Sequence, residues 1–261
     1  MAVALMIGAT AFADEGMWMI QDINEALEKN MRARGLKLAA NEIYNDEAPG
    51  TAVSDAVVSI GFYCTGSVIS DQGLIITNHH CAYSNIAKLS TPEHNYLEDG
   101  FWAMTSEEEI PIEGETVFFL KKVFDVTEEV KGIMKEFRAN GKPFGIRKIS
   151  AIMEKRYKEA TGMECILSSM WAGEKYYMSV YKTYTDLRLV AAPPQSIGYF
   201  GGNQDNWTWP RHNCDFTIYR IYEDGKPVTR EKSLKISLAG YHPGSFAMVI
   251  GYPGRTNRYT S

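Results

Sequence analysis

The sequence predicts a mainly β fold, a barrel or a sandwich, into which helices are inserted. Two observations support this fold class. The first is a series of short apolar stretches separated by turn residues, which is typical of antiparallel strands. The second is a pair of amphipathic helical stretches near the middle of the chain. With 261 residues, 45% of them hydrophobic, the chain is long enough for one large domain or two small ones.

The predicted strands extend over most of the chain. One hairpin joins 65–69 to 74–77, because Ser70-Asp71-Gln72-Gly73 has the composition of a tight turn that ends in glycine. A long loop is predicted from Pro193 to Arg211. The remaining strands are predicted at 56–60, 116–123, 164–170, 176–190, 216–222, 234–238 and 246–251.

Three helices are predicted from apolar periodicity. Residues 18–38 carry apolar side chains at intervals of four, which form one stripe. A second helix begins near Asp125 or Thr127, either of which could cap it, and ends by Gly141. A third covers 145–160, with apolar residues on one face and Lys, Arg and Glu on the solvated face.

Composition and the N-terminus indicate an exported protein. The net charge is -5 and no basic run is present, which argues against nucleic acid or an anionic membrane surface as a partner. Residues 1–13 form a short apolar run that ends in Ala11-Phe12-Ala13, as in a secretory signal peptide, although no positive residues precede it. The run is too short to span a bilayer, and no other stretch is long and apolar enough to do so.

The strongest chemical signal is the pair His79-His80 in front of Cys81. A predicted strand ends at this pair and Cys64 lies one hairpin earlier, which is how chymotrypsin-like barrels present a general base. A base must stay within hydrogen-bond reach of the hydroxyl that it deprotonates, and a bond between the two cysteines would hold the imidazole in place. His80 is therefore the predicted base. The alternatives are a structural histidine pair or a metal site, but adjacent strand residues point to opposite faces, so no metal or other cofactor is expected.

The four cysteines allow three pairings, and an oxidising compartment makes disulfides plausible. Cys64 and Cys81 are the predicted disulfide. The pairing of Cys165 with Cys214 rests on the even count alone.

A carboxylate is also needed to orient the histidine and to stabilise its imidazolium. Asp215, at the start of the predicted strand 216–222, is the predicted partner, and Asp205 inside the preceding loop is the competing candidate. The same loop contains Asn206, Trp207 and Trp209. A surface loop whose tryptophans merely pack accounts poorly for so many polar and aromatic groups together.

Several longer motifs together resemble the dipeptidyl-peptidase 7 and 11 family of exported bacterial exopeptidases. The match runs over nearly the whole chain after residue 13. The motifs are Cys64-Thr-Gly-Ser, Thr77-Asn-His-His-Cys81, Asp99-Gly-Phe-Trp102-Ala, Leu187-Arg-Leu-Val-Ala-Ala-Pro-Pro194, Gly201-Gly-Asn-Gln-Asp-Asn-Trp-Thr-Trp-Pro-Arg-His212, Cys214-Asp-Phe-Thr-Ile-Tyr-Arg220 and Gly251-Tyr-Pro-Gly-Arg-Thr256.

The resemblance implies a chymotrypsin-like double β-barrel with an inserted helical domain, of which residues 14–261 would be the first half. It implies a serine-type dipeptidyl peptidase, in the full-length protein a homodimer, that acts on peptides with a free N-terminus. His80 would be the base and Asp215 its orienting carboxylate. Asn206 and Trp207 match the family residues that hold the α-amino group of the substrate.

The nucleophilic serine of the family has no match in this sequence. Family members continue for several hundred residues, and their nucleophile lies in a Gly-rich turn of the second barrel. Gly66-Ser67 and Gly244-Ser245 lack the Gly-x-Ser-Gly setting of such a turn. The expectation is therefore a fragment that is inactive by itself. The alternatives are a non-catalytic secreted peptide-binding protein and an HtrA-like endopeptidase, the second of which does not explain Asn206 and Trp207.

Overall fold

The computed structural model describes residues 18–23, 25–141, 145–198 and 213–253. No helix of this described part is long and apolar enough to cross a membrane. Its α-helices are α1 (Glu25–Ala33), α2 (Ala40–Ile43), α3 (His79–Leu89), α4 (Tyr96–Asp99), α5 (Thr127–Ala139), α6 (Ile146–Thr161) and α7 (Gln195–Gly198). Its strands are β1 (Val57–Ile60), β2 (Cys64–Val68), β3 (Leu74–Thr77), β4 (Phe101–Trp102), β5 (Ile110–Ile112), β6 (Val117–Asp125), β7 (Glu164–Met170), β8 (Lys175–Tyr184), β9 (Asp186–Ala192), β10 (Thr217–Glu223) and β11 (Lys226–Pro227).

All these strands pair antiparallel in one sheet. The order is β4-β9-β10-β3-β2-β1-β6-β8-β7, and β11 pairs with β10 while β5 pairs with β9. The prediction of a mainly β fold with inserted helices is confirmed. Within the described residues the two end strands, β4 and β7, do not pair with each other, so the sheet is open and not a closed barrel.

The buried apolar residues form two separate clusters. The first core lies between the strands β1 to β3, β5, β6, β9 and β10 and helix α3; its large members include Ile60, Ile75, Ile86, Phe119, Leu187, Leu189, Tyr219 and Ile221. The second core lies between α5, α6 and the β7–β8 hairpin; it consists of Val126, Val130, Ile149, Met153, Cys165, Tyr176, Met178 and Val180. Both helices of the second core match the predicted ones within two residues at each end.

Helix α3 corrects the prediction that the histidine pair ends a strand. Strand β3 ends at Thr77 as predicted, but His79 already begins a helix of 11 residues. The physical reason is a change of apolar period within two residues. Ala82, Ile86 and Leu89 follow at spacings of four and three, and all three pack on the first core.

The predicted strands at 234–238 and 246–251 are also wrong for the described structure, where neither stretch is a strand. Leu234 N donates to Val68 O of the sheet at 2.8 Å, and Tyr252 N, just after the second stretch, donates to the side-chain Oγ1 of Thr65 at 2.8 Å. A strand needs a hydrogen-bonded neighbour along its length, and none is present here. Ile236, Leu238 and Val249 of these stretches are therefore exposed, whereas Leu234 packs on the first core.

Three smaller predictions also need correction. The predicted strand 176–190 is two strands, β8 and β9, which separate at Thr185. The predicted helix 18–38 is shorter and is restricted to α1, with a 3-10 turn at Ile20–Asp22 before it. Cys165 and Cys214 are not bonded to each other. Cys165 lies in β7 and Cys214 lies shortly before β10. Five other strands separate β7 from β10 in the sheet, so the two cysteines are too far apart for a disulfide.

Candidate active site

The site lies where strand β3 ends and the neighbouring strand β10 begins. β3 and β10 pair antiparallel, with Thr77 opposite Thr217. The chain leaves β3 into α3, which carries His80 in its first turn, and it enters β10 from Asp215. The register of this one strand pair therefore brings together two residues that are 135 positions apart in the sequence.

His80 and Asp215 form a close hydrogen-bonded pair. Nδ1 of His80 lies 2.6 Å from Oδ2 of Asp215, and the backbone N–H of His80 donates to Oδ1 at 3.0 Å. One carboxylate thus contacts both the ring and the backbone of the same histidine, which fixes the ring rotation. Because Nδ1 faces the carboxylate, Nε2 is the nitrogen that can exchange a proton with a substrate group.

Asp215 also caps helix α3. The first backbone N–H groups of a helix lack partners within the helix, and the side chain of the residue before the helix usually accepts from one of them. Here that residue, Asn78, makes no such bond and instead donates through Nδ2 to O and Oδ2 of Asp215, at 3.1 and 3.3 Å. The carboxylate of Asp215 occupies the capping position, where the helix dipole favours a negative charge.

The exposure of the pair suits a base with a buried partner. The His80 side chain is 41% exposed and that of Asp215 only 15%. A partly exposed imidazole can reach a bound substrate, while a carboxylate shielded from water interacts more strongly with it. The arrangement has the chemistry of a general base that is oriented and electrostatically supported by a carboxylate.

A disulfide joins the site to the hairpin before it. Cys64, the first residue of β2, is bonded to Cys81, which follows His80 directly in α3, and their Cα atoms are 6.1 Å apart. The bond closes a loop of 17 residues, for which the chain-entropy model gives a stabilisation of roughly 3 kcal/mol. It anchors α3 one residue away from His80.

A buried carboxylate, that of Glu115, contacts the middle of helix α3. Glu115 is 8% exposed, and its Oε2 accepts hydrogen bonds from Tyr63 Oη at 2.5 Å and from Asn85 Nδ2 at 3.0 Å. Burial and the contact with Glu115 raise the pKa of Tyr63 above its ordinary value. Because Tyr63 precedes Cys64 and Asn85 lies on α3, Glu115 holds the turn before β2 against the helix that carries His80.

The two adjacent histidines lie in different environments. His79 is fully buried, and burial lowers the pKa of its ring below the usual range. His80 is exposed on another side of the same helical turn. Within the described residues, no group of three or more His, Cys, Asp or Glu side chains is arranged to hold a metal ion.

Part of the predicted site falls on residues that the structure does not describe. Asn206 and Trp207, the predicted substrate-binding residues, lie outside the described residues, as do Asp205, Trp209 and the predicted signal segment 1–13. The sequence analysis missed Asn78 and Glu115. An asparagine directly before a new helical period is a typical N-cap signal and could have revealed the start of α3. No local signal indicates Glu115.

The comparisons with known proteins agree on one family. The family model described as peptidase S46 matches residues 13–261. Dipeptidyl-peptidase 7 of Phocaeicola vulgatus is 43% identical over 265 residues, which is 95% of this chain and 36% of that protein. The Asp/Glu-specific dipeptidyl-peptidase of Porphyromonas gingivalis is 42% identical over 277 residues, which is 98% of this chain and 38% of that protein.

Solved structures give the same result. The crystal structure of Porphyromonas endodontalis DPP11 in complex with the dipeptide Arg-Glu matches with a TM-score of 0.80 and 36% sequence identity, over 89% of this chain and 35% of that one. The chain therefore spans little more than a third of the length of the curated relatives and solved structures that it matches. With a family model that covers nearly all of its residues and relatives above 40% identity, the chain belongs to the peptidase S46 family.

Proposed function

We propose that this chain supplies the general base and its orienting carboxylate to a serine-type dipeptidyl peptidase. The observation that carries the proposal is the His80–Asp215 pair, with its 2.6 Å contact and its second bond to the His80 backbone. Relatives named dipeptidyl-peptidase 7 and Asp/Glu-specific dipeptidyl-peptidase point to the reaction. The substrate is an oligopeptide with a free N-terminus, from which a dipeptide is released.

In the proposed reaction, Nε2 of His80 accepts the proton of a serine hydroxyl as that serine attacks the peptide carbonyl carbon. The imidazolium that forms is stabilised by Asp215 and then returns the proton to the departing amine. The serine belongs to a part of the family's length that this sequence does not cover.

Substrate selection at the N-terminus is assigned to Asn206 and Trp207. An exopeptidase must recognise a charged α-amino group, which offers N–H donors. The side-chain carbonyl of Asn206 can accept one of these hydrogen bonds, and the ring of Trp207 can contribute a cation–π contact of about 1 kcal/mol. These residues enter the proposal through the family resemblance of their motif.

The same proposal extends to the fold of the whole protein. Ile236, Leu238 and Val249 are 71%, 97% and 100% exposed; the first two lie in a stretch whose apolar residues alternate, and Val249 lies in a continuous apolar run at 246–250. Such stretches are typical of strands that lack a partner. In the full-length protein they would pair with later residues to begin a second barrel. Export through residues 1–13 fits the Cys64–Cys81 disulfide, since such bonds persist in oxidising compartments.

The test uses the full-length protein with an oligopeptide that has a free N-terminus and with its N-acetylated copy. The free peptide should lose its N-terminal dipeptide and the acetylated copy should not, because acetylation removes the charge that the site recognises. His80→Ala should lower turnover by several orders of magnitude. His94→Ala, which removes an exposed histidine, is the matched control and should leave turnover unchanged. Equal cleavage of the free and blocked peptides would instead support an endopeptidase.

A further inference from the structure

His79 is the residue beside the base that the proposed reaction does not use. Its side chain is fully buried, and its ring faces the backbone of Pro193, which lies shortly before α7. Among the described residues, no hydrogen bond of good geometry holds either ring nitrogen. Burying a polar ring without a well-aligned partner costs free energy, so its role has to be sought in what it packs against.

The ring of His79 packs directly on the backbone of Gly198, the last residue of α7. A Cβ atom added to Gly198 would lie 2.4 Å from Cδ2 and 2.6 Å from Cγ of His79. Gly198 does not need a left-handed backbone, so glycine is required at this position for the close approach of the ring. A flat ring and a residue without a side chain thus form one contact.

Helix α7 is in turn bonded to the segment that carries the carboxylate. The backbone N–H of Cys214 donates to the carbonyl of Ile197 at 2.8 Å, and Cys214 directly precedes Asp215. Gly198 itself is held by a bond from its N–H to Pro194 O, also at 2.8 Å. A displacement of α7 away from His79 would therefore move the backbone next to Asp215.

We propose that His79 and Gly198 are positioning residues that set the distance between His80 and Asp215. The base and His79 are consecutive on α3, and the carboxylate follows the segment that α7 holds. The contact between His79 and Gly198 therefore fixes the backbone segments that carry His80 and Asp215, independently of the direct hydrogen bonds between these two residues. This inference rests on the proposed function for its effect on turnover, but its geometric part stands alone.

The experiment combines kinetics with a direct observation of the hydrogen bond in the full-length protein. The far-downfield proton NMR resonance of the His80 Nδ1–H reports the bond to Asp215 whether or not the protein releases dipeptides from a substrate. Gly198→Ala should shift or abolish this resonance and lower kcat between about 10- and 100-fold, as expected for a small misplacement of a catalytic group. KM for the oligopeptide with a free N-terminus should change less than kcat.

Substitutions of His79 provide the complementary arm. His79→Ala should reproduce the kcat loss, and His79→Leu should do so as well, because a branched side chain fills the space but cannot lie flat on Gly198. The double variant with both His79→Ala and Gly198→Ala should be no slower than the worse single variant, because the new methyl group enters the space that the ring has left. Ile86→Ala is the matched control, since it removes a fully buried side chain from the same helix and should lower stability with kcat unchanged.

The outcomes separate the two proposals. If His79→Leu and Gly198→Ala leave the resonance in place and kcat within about two-fold, or if the two losses multiply in the double variant, the positioning role is wrong. If the resonance responds as expected but no dipeptide is released by the unmodified protein, the positioning role stands and the proposed reaction falls.

Discussion

The two cores of this protein differ in whether the polar and charged side chains around them are buried or exposed. Around the first core, polar and charged side chains are themselves buried, and several of them bond to the backbone or to other side chains, as in the contact between Asn85 and Glu115. Around the second core only Thr127 is a buried polar residue among those described. The buried polar residues on the first-core side are Ser54, Asp55, Ser59, Thr77, His79, Asn85, Glu109, Glu115 and Thr217.

The second core is apolar inside and charged only at its surface. Lys175 and Asp125 are 2.8 Å apart, and Arg156 and Glu129 are 3.4 Å apart, with more than 40% of each side chain exposed. Ion pairs in water contribute little to stability. Buried polar groups cost desolvation energy, which only good geometry offsets. The comparison therefore indicates that positioning is concentrated around the first core, where the site lies, while the second core serves mainly stability.

The largest expected effect is that of Asp215→Asn in the first region. Asparagine keeps the shape and can still cap α3, but it cannot stabilise an imidazolium and can present an N–H to Nδ1, which selects the wrong tautomer. In triads of this kind the loss in kcat is about 10⁴-fold. We expect a loss of about 10³- to 10⁴-fold in kcat of the full-length enzyme, with circular dichroism unchanged. A loss below ten-fold would mean that Asp215 is not the partner of the base.

The second effect belongs to the other region and concerns stability. Met153 is fully buried between α6 and the β7–β8 hairpin, so Met153→Ala leaves a cavity. The free energy of unfolding should fall by about 2–5 kcal/mol, measured by urea denaturation. Turnover per folded molecule should not change. Lys155→Ala, an exposed change on the same helix, is the control. A comparable loss of kcat in Met153→Ala would remove the division between the two cores.

The secondary structure that could be predicted from the sequence is that determined by local chemistry. β3 and β7 have the predicted bounds, because apolar alternation and turn residues specify them within a few positions. Helix α3 could not be separated from the strand before it, since only two residues divide the two periods. The stretch 234–238 has the alternation of a strand, but pairing requires a neighbour, which local sequence does not specify.

The candidate site divides in the same way. His80 and Asp215 could be identified from their motifs, since a histidine beside a cysteine and an aspartate before a strand are local signals. The capping of α3 by Asp215 could not be predicted, because its donors are 135 and 137 positions away. The bond between Glu115 and Asn85 spans 30 positions and depends on how β6 and α3 pack on the first core. Such contacts follow from tertiary packing.

The smallest expected effect tests the surface charges of the second region. Asp125 accepts hydrogen bonds from Lys175 Nζ and from the backbone N–H of Thr127, and the side-chain contact with Lys175 is the main reason that the pKa of Asp125 is lowered from 3.8 to about 2. Asp125→Asn keeps an acceptor for Thr127 and removes only the charge. Since the Asp125 side chain is 43% exposed, solvent screening should limit the loss in unfolding free energy to below about 1 kcal/mol at pH 7.

The pH dependence of this loss follows from the sign of the pKa shift. A carboxyl group whose pKa is lower in the folded state stabilises the protein above its unfolded pKa, here near 3.8, and that contribution disappears as the pH falls through about 2. The difference in unfolding free energy between the unmodified protein and Asp125→Asn should therefore be constant from pH 7 to about 5 and shrink between about pH 4 and 2. It should also shrink in 1 M salt, because the Debye length falls to about 3 Å. Urea denaturation at pH 7 and pH 3 measures both values. If the difference were as large at pH 3 as at pH 7, the charge of Asp125 would not be what stabilises the second region.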